Sequence, residues 1–322
     1  MHTGAGQAPA MASERTVFRP LDGLLLLDKP AGMSSNQALQ RVRHLFRAEK
    51  AGHTGSLDPL ATGLLPVCFG EATKIAGLLL GHRKSYETEA RLGIVTDTDD
   101  ADGLALRERP VPALDEGHVR SLLASFVGRI SQRPPIYSAL KQGGEPLYSK
   151  ARRGEAIAVP EREVDVQAVV LQSLEGDRLT LRIDCGSGTY VRSIVRDLGE
   201  LLGCGAHVSL LRRLWVEPFT QPAMHTLEAL RAVRDDAGEA ALDALLLPLD
   251  AGLAGQSECL LDSAQTRALG LGQPVRVPVI GAGDHTRIHI ARDPWGRALG
   301  LVRVQPDGHV KVQRLFRWAA GG

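Results

Sequence analysis

Cysteine is scarce in this sequence, and the few cysteines present form no pattern. Four occur in 322 residues, far apart and without a CxxC pair. Zinc sites and disulfide frameworks need characteristic cysteine spacings, so we expect neither. Each thiol should serve as a small buried hydrophobic group, and a reducing cytoplasm fits this usage best. The residues are Cys68, Cys185, Cys204 and Cys259.

Long apolar runs are also missing. A bilayer span needs roughly 20 consecutive apolar residues, whereas the run Leu24–Leu27 is followed at once by Asp28, Lys29 and Pro30. We therefore expect no membrane association. The small and polar residues at the N-terminus lack the apolar stretch of a signal peptide, so we predict a disordered tail over residues 1–20.

An excess of one charge is absent as well. Lys and Arg number 38 against 37 Asp and Glu, for a net charge of +1, so any nucleic-acid surface must come from local clustering. Two basic groups could form such a surface or could equally be solvated charged faces. The first contains Arg41, Arg43, His44, Arg47 and Lys50; the second contains Lys141, Lys150, Arg152 and Arg153, with Tyr137 and Tyr148 interspersed.

Motifs for nucleotide cofactors and metals fail on inspection. No Gx4GK[ST] sequence occurs, and the glycines around Cys204 lack the third glycine of a dinucleotide fingerprint. The acidic run 97–103 resembles a calcium loop, but Thr98 and Arg109 would occupy positions that require acids. We predict a solvated or turn-capping loop there, and neither a metal nor a cofactor.

Periodicity predicts an α+β first domain. Ser34 and Gln37 form a capping-box pattern before a helix. Residues 86–92 alternate, so that Tyr86 points inward from a half-buried strand. The remaining expected elements are a strand at Leu24–Leu27, a helix at 115–126, two strands at 164–171 and 179–185 joined by a turn, a helix at 191–202 stopped by Gly203, and a helix at 226–247.

After residue 253 the chain changes to short strands broken by Gly and Pro. These strands are expected at 274–279, 287–291, 298–304 and 309–316. About 60 residues of this kind predict a small C-terminal β-barrel.

The most informative stretch is the Gly-rich segment 52–74. It holds one acid, Asp58, between Leu57 and Pro59. A carboxylate among apolar residues costs free energy unless something pairs with it, which makes Asp58 a candidate nucleophile or base. The alternative is a turn-forming Asp-Pro without chemistry, and the pattern alone favours that alternative.

Six segments follow one another along residues 20–250: GLLLLDKPAGMSS (23–35), GHTGSLDPLATG (52–63), KSYE (84–87), RLGIVTDTDDADG (91–103), PPIYSALKQGGEPLYSKARRG (134–154) and GTYVRSIVRDLGELLGCGAHVSLLRRL (188–214). In order and content they resemble the motifs of the TruB family of tRNA pseudouridine-55 synthases, which includes the Cbf5 and dyskerin enzymes. Six ordered motifs are far more specific than any one of them.

The resemblance implies roles for individual residues. Asp58 matches the essential aspartate, and Arg192 the arginine that pairs with it and keeps it ionised. Tyr86 matches the tyrosine that stacks on the everted uracil, Tyr190 a residue at the uracil edge, and Leu211 one that lines the pocket. By pattern alone Arg192 would be a surface helix residue, and Tyr86 and Leu211 would be ordinary core.

Four further residues complete these expectations. His53 matches the histidine thought to help evert the nucleotide, although a loop histidine is most often a polar surface residue. Lys29 and Lys74 match lysines near the site, for which phosphate contact and structural pairing both stay open. Arg196, one helical turn after Arg192, is expected to be solvated.

The family likeness also implies an architecture and a reaction. The catalytic domain, with a mixed, mainly antiparallel sheet, would span 21–252, with an RNA-contacting insertion at 134–154 and a PUA-like domain at 257–318. The chain would act as a monomer, without an obligate protein partner, on the T-loop and T-stem of tRNA, and would isomerise a uridine to pseudouridine without a cofactor. Attack on the ribose, proton removal from it and addition to C6 of the base all remain open routes.

Two competing functions stay open. An RNA-folding factor would use the basic clusters and would not need Asp58. A base-removing glycosidase is disfavoured, because glycoside hydrolases ordinarily need paired carboxylates and the loop holds one acid.

Overall fold

The computed structural model describes residues 17–138, 140–146, 153, 155, 158–278 and 287–320. Residues 1–16 of the tail that was predicted over 1–20 lie outside this range. Part of the predicted insertion, including Lys150 and Arg152, lies outside it too. The helices are α1 (Ser35–Leu45), α2 (Ala76–Leu80), α3 (Glu116–Ala124), α4 (Val191–Leu201), α5 (Leu227–Asp243) and α6 (Ser263–Gly270). Three short 3-10 helices span Gly70–Ile75, Leu249–Leu253 and Arg317–Ala319.

The strands are, in chain order, β1 (Gly23–Lys29), β2 (Ala51–His53), β3 (Thr62–Phe69), β4 (Lys84–Leu92), β5 (Ile94–Thr96), β6 (Ala105–Glu108), β7 (Gly128–Gln132), β8 (Lys141–Gln142), β9 (Glu145–Pro146), β10 (Arg162–Glu175), β11 (Arg178–Cys185), β12 (Ala206–Val216), β13 (Glu258–Leu260), β14 (His289–Arg292), β15 (Ala298–Val304) and β16 (Val310–Leu315).

One large sheet organises the catalytic part of the chain. Its order is β1-β3-β12-β4-β11-β10-β7, with β2 also paired to β3. All pairings are antiparallel except β12 with β3, which is parallel. The predicted mixed, mainly antiparallel sheet is therefore confirmed, and the helices expected at its flanks are present.

The local sequence signals explain the element boundaries. Helix α1 begins at the predicted capping box, since the Ser34 hydroxyl accepts from the Gln37 amide and the Gln37 side chain accepts from the Ser34 amide. Strand β4 alternates as expected, with Tyr86 on its buried face. Gly203, in the left-handed region at φ 79°, follows α4 as predicted.

A close backbone approach requires glycine at position 63, where the Asp58 loop enters β3. Gly63 has φ 95°, and a Cβ there would lie 2.2 Å from the carbonyl oxygen of Arg213. No other residue fits this contact. Gly63 therefore allows β12 to pair directly beside the loop.

The expected C-terminal barrel is a four-stranded sheet in the described residues, with order β13-β14-β15-β16. The strand predicted at 274–279 is wrong over its described part, which contributes only an isolated bridge between Arg276 and His309. Pro274 and Pro278 flank this bridge, and proline is disfavoured inside strands, so the extended segment between them is short. Helix α6 was not predicted, although Asp262 caps it.

The C-terminal sheet shares an apolar core with the catalytic sheet. Leu24, Ile75 and Leu79 cluster with Leu301 and Phe316. All four cysteines are free and buried, which confirms their prediction as small core residues. Among the described residues, no helix combines the length and apolarity that crossing a membrane would take.

The ordered body begins before residue 21. Phe18 packs edge-on against His44 and lies under the guanidinium of Arg43. Arg19 forms an ion pair of 2.6 Å with Asp243. The disordered tail predicted over 1–20 therefore ends earlier than expected, because Phe18 and Arg19 contact residues that are distant in the sequence.

We predict that Leu301→Ala lowers the free energy of unfolding by about 2–5 kcal/mol, because it opens a cavity in the shared core. Leu301 is 4% exposed, whereas Leu260, on the same small sheet, is 69% exposed. Leu260→Ala should therefore change stability by no more than about 0.5 kcal/mol. Urea unfolding of both variants measures the difference; equal effects would contradict a shared core.

Candidate active site

The Asp58 loop is held in place by the β1–α1 connection. The backbone amide of Leu57 donates to the Ser35 hydroxyl at 2.7 Å. The carbonyl oxygen of Pro59 accepts from the Gly32 amide at 2.9 Å. These bonds fix the backbone on both sides of Asp58, whose side chain stays 37% exposed.

Arg192 meets Asp58 from the first turn of α4. Its Nε lies 2.9 Å from Asp58 Oδ2, and its side chain is only 4% exposed. The other guanidinium nitrogens donate to the carbonyl oxygens of Thr98 at 2.8 Å and Tyr137 at 2.9 Å. Asp100 adds a second carboxylate at 3.4 Å. The guanidinium thus joins three separate loops to α4.

The charge state of Asp58 depends on this arginine. Burial raises the pKa of Asp58, the Arg192 guanidinium opposes that shift, and the neighbouring Asp100 carboxylate adds to it. An ion pair with hydrogen-bonding geometry favours the carboxylate form. Without Arg192, burial and Asp100 would both favour the neutral acid.

The acidic run 97–103 was predicted to be a solvated or turn-capping loop. Turn capping is present, since Asp97 accepts from the Leu104 amide at 2.8 Å and Asp100 from the Asp102 amide at 3.2 Å, whereas solvation is wrong for the central residues. Asp99 and Asp100 are 9% and 5% exposed. Asp99 has φ 61° and pairs with Arg196 at 3.0 Å. Arg196 also donates to the Arg133 carbonyl at 2.9 Å, so its predicted solvated state is wrong too. Asp99 and Asp100 are buried because two arginines on α4 neutralise them.

A cavity of about 380 Å³ opens beside the ion pair. Its lining includes Asp58, Arg192 and the three residues expected at the base, Tyr86, Tyr190 and Leu211. Burial raises the pKa of both tyrosine hydroxyls, so both are neutral at physiological pH. The cavity therefore offers neutral aromatic and apolar surface besides the charged pair.

Two buried cations are among the cavity residues that were not singled out from the sequence. Arg213, 1% exposed, donates to the carbonyl oxygens of Leu64 and Gly55. Lys84 donates to those of Leu80 and His82 at 3.0 and 2.7 Å. Lys84 shares the buried face of β4 with Tyr86, so the alternation already noted in that strand could have identified it.

Three of the expected site residues do not line the cavity. Lys29 is fully buried and donates to the carbonyls of Pro30, Met33 and Pro59. Lys74 pairs with Glu71 and donates to the Leu315 carbonyl. Both lysines therefore make structural contacts. His53 is half-buried on β2, and burial together with Arg213 lowers its pKa.

Part of the first basic cluster is engaged within the molecule. Arg43 donates to the carbonyl oxygens of Ala48 and Glu49, and Arg47 forms an ion pair with Glu239 at 2.7 Å. Arg41 and Lys50 remain exposed. The cluster therefore braces the N-terminal segment and α5 and contributes fewer free cations than its sequence indicates.

Solved structures with the same architecture define the fold class. The "Crystal Structure of a Cbf5-Nop10-Gar1 Complex" matches with a TM-score of 0.73 at 24% identity, over 94% of this chain and 85% of that one. The "Structure of H/ACA RNP bound to a substrate RNA containing 2'-deoxyuridine" matches with a TM-score of 0.71 at 23% identity, over 91% and 84%. At these identities the likeness concerns the fold.

Sequence comparison is more specific. Residues 43–191 match the model of the TruB family pseudouridylate synthase N-terminal domain, and residues 192–254 that of the tRNA pseudouridylate synthase B C-terminal domain. The chain is 59% identical to "tRNA pseudouridine synthase B" of Xanthomonas campestris pv. campestris (strain B100), over 94% of this chain and 96% of that protein. The protein of the same name from Xylella fastidiosa (strain Temecula1 / ATCC 700964) is 56% identical over 95% and 99%. The chain therefore belongs to the TruB family of pseudouridylate synthases.

We predict a pH-dependent stability contribution from Lys84. Burial and the nearby Arg213 charge lower its pKa to about 8 from 10.5. Between these values the unfolded chain binds more protons at this site than the folded protein does. Stability of the wild type relative to Lys84→Met should therefore rise from pH 8 to 10.5, by up to about 1.4 kcal/mol per pH unit.

Urea unfolding of the two proteins between pH 7 and 10 measures this difference. Lys29, whose pKa is also lowered to about 8 by burial, is present in both proteins and cancels. A difference that does not change with pH would show that Lys84 titrates normally in the folded state.

Proposed function

We propose that this protein converts a uridine in the T-loop of tRNA, at position 55, to pseudouridine, with Asp58 as the nucleophile. The observation that carries the proposal is the Asp58–Arg192 ion pair at the edge of a cavity lined by Tyr86 and Tyr190. The names of the relatives, tRNA pseudouridine synthase B, support the substrate.

The reaction is an isomerisation. The bond between N1 of uracil and C1′ of ribose breaks, the base turns, and a bond forms between C5 and C1′, while the proton of C5 is lost and N1 gains one. A base stacked in RNA must first be everted, which costs a few kcal/mol. The cavity accepts the everted base, and the neutral ring of Tyr86 offers a stacking surface.

Asp58 acts on the everted nucleotide by one of three routes. Each open route, attack on the ribose, proton removal from it and addition to C6, needs a carboxylate that is ionised and fixed in place. Arg192 supplies both conditions, because it pairs with Asp58 and is itself held by two backbone carbonyls. Tyr190 and Leu211 confine the base from the other side.

We further infer a monomeric, cytoplasmic enzyme that needs no obligate protein partner. The described residues of 257–318 belong to a PUA-like unit that contacts the RNA, and those of the segment 134–154 contact it beside the cavity. His53 assists eversion from β2. An RNA-folding activity is a second candidate, since eversion requires the enzyme to open the structure of its RNA.

We predict that Asp58→Asn lowers the rate of pseudouridine formation by at least about 10³-fold, because an amide of the same shape cannot act as a nucleophile or base. Carbodiimide-dependent primer extension on a T-loop RNA measures the product, and unchanged RNA mass excludes base release. Asp177→Asn is the control, since Asp177 pairs with Arg91 away from the cavity. A near-normal rate in Asp58→Asn would refute the nucleophile, and loss of RNA refolding by the same variant would argue against a separate folding activity.

A second prediction concerns the Arg196–Asp99 pair, which holds the turn carrying Asp100. Arg196→Met and Asp99→Asn should each lower kcat by about 10-fold with KM unchanged. The double variant should lose no more than Arg196→Met alone, because both substitutions remove the same Arg196–Asp99 interaction. Single-turnover rates and KM for the T-loop RNA test this. Fully additive losses would mean that the two residues act independently.

A further inference from the structure

One cation at the cavity, Arg162, differs from the others. Arg162 lines the cavity at the start of β10 and is exposed. The acids on either side of it are already paired, Glu161 with Arg133 at 3.3 Å and Glu163 with Arg129 at 3.1 Å. Within the described parts of the chain, no acid pairs with the Arg162 guanidinium.

The other cations of the cavity are in a different state. Lys84 and Arg213 each donate to two backbone carbonyls, and Arg192 binds Asp58. The one carboxylate that lines the cavity is therefore already neutralised. Arg162 is left as an uncompensated positive charge.

The Arg162 guanidinium lies next to Gly188. A Cβ on Gly188 would lie 3.2 Å from its terminal nitrogen Nη2 and 3.5 Å from Cζ, so the guanidinium lies over the face of Gly188 that a side chain would occupy. Gly188, at φ 87°, belongs to the segment that leads into Tyr190 and α4. A side chain at position 188 would require the guanidinium to shift by a few tenths of an ångström.

We propose that Arg162 binds a phosphate that flanks the everted nucleotide. This rests on the proposed function. Uracil and ribose are uncharged, so the group of that nucleotide that matches a free guanidinium is the phosphodiester. Phosphates receive most protein–nucleic acid hydrogen bonds and position the nucleic acid, and the planar fork of arginine suits two phosphate oxygens at once.

The test compares wild type, Arg162→Gln, Arg162→Lys and the control Arg178→Gln on one T-loop stem-loop RNA. Arg178 is also an arginine, but it pairs with Glu89. It is the first residue of β11 and does not line the cavity. We expect Arg162→Gln to weaken RNA binding about 10-fold with kcat unchanged. The slope of log Kd against log salt concentration should fall by roughly 0.7 to 0.9. Arg162→Lys should restore the slope, whereas Arg178→Gln should match wild type.

A second arm locates the phosphate. Two RNAs carry a neutral methylphosphonate in place of the phosphate on the 5′ or the 3′ side of the target uridine. One of these two substitutions should weaken binding to the wild type. The same substitution should not weaken binding to Arg162→Gln any further. Unchanged affinity and salt slope in Arg162→Gln, or fully additive losses at both positions, would overturn the proposal. Because binding is measured without turnover, these results are separate from a failure to form pseudouridine, which would count against the proposed function.

Discussion

The site depends on the buried guanidinium of Arg192, which lies at the N-terminal end of α4. A cation in the first turn of α4 is opposed by the helix dipole, and burial adds a desolvation cost. Arg192 is stable there because Asp58, Asp100 and two backbone carbonyls surround it. The same side chain therefore both neutralises the carboxylates and holds the loops in place. Without Arg192, Asp58 and Asp100 would lie near each other unneutralised, and the three loops would lose the contacts that join them to α4.

Features set by local sequence could be predicted without the structure. The capping box at Ser34 and Gln37 placed the start of α1, because both partners lie within one turn. Alternation in β4 placed Tyr86 on the buried face, and the same alternation extends to Lys84. Asp58 was a candidate on residue type alone. Preferring a catalytic role to a turn-forming role for Asp58, and selecting Arg192 as its partner, required the family resemblance.

Features set by distant contacts could not be predicted. Asp99 and Arg196 are charged and lie in segments that pattern alone assigns to solvent. Asp99 is buried and Arg196 partly buried, because the fold makes them partners. Lys74 is part of a family motif, yet it contacts Leu315 some 240 positions later. In the C-terminal segment, residues 274–278 look compatible with a strand in sequence, but they pair only at the isolated bridge between Arg276 and His309.

The position of β12 has a consequence for how the chain is made. β12 lies between β3 and β4 in the sheet, yet it is synthesised long after both. As the polypeptide leaves the ribosome, β3 and β4 cannot complete the middle of the sheet until Ala206–Val216 has emerged. Until then, their open edges are exposed to aggregation and to chaperones. Translation speed across this interval should therefore affect the yield of folded enzyme.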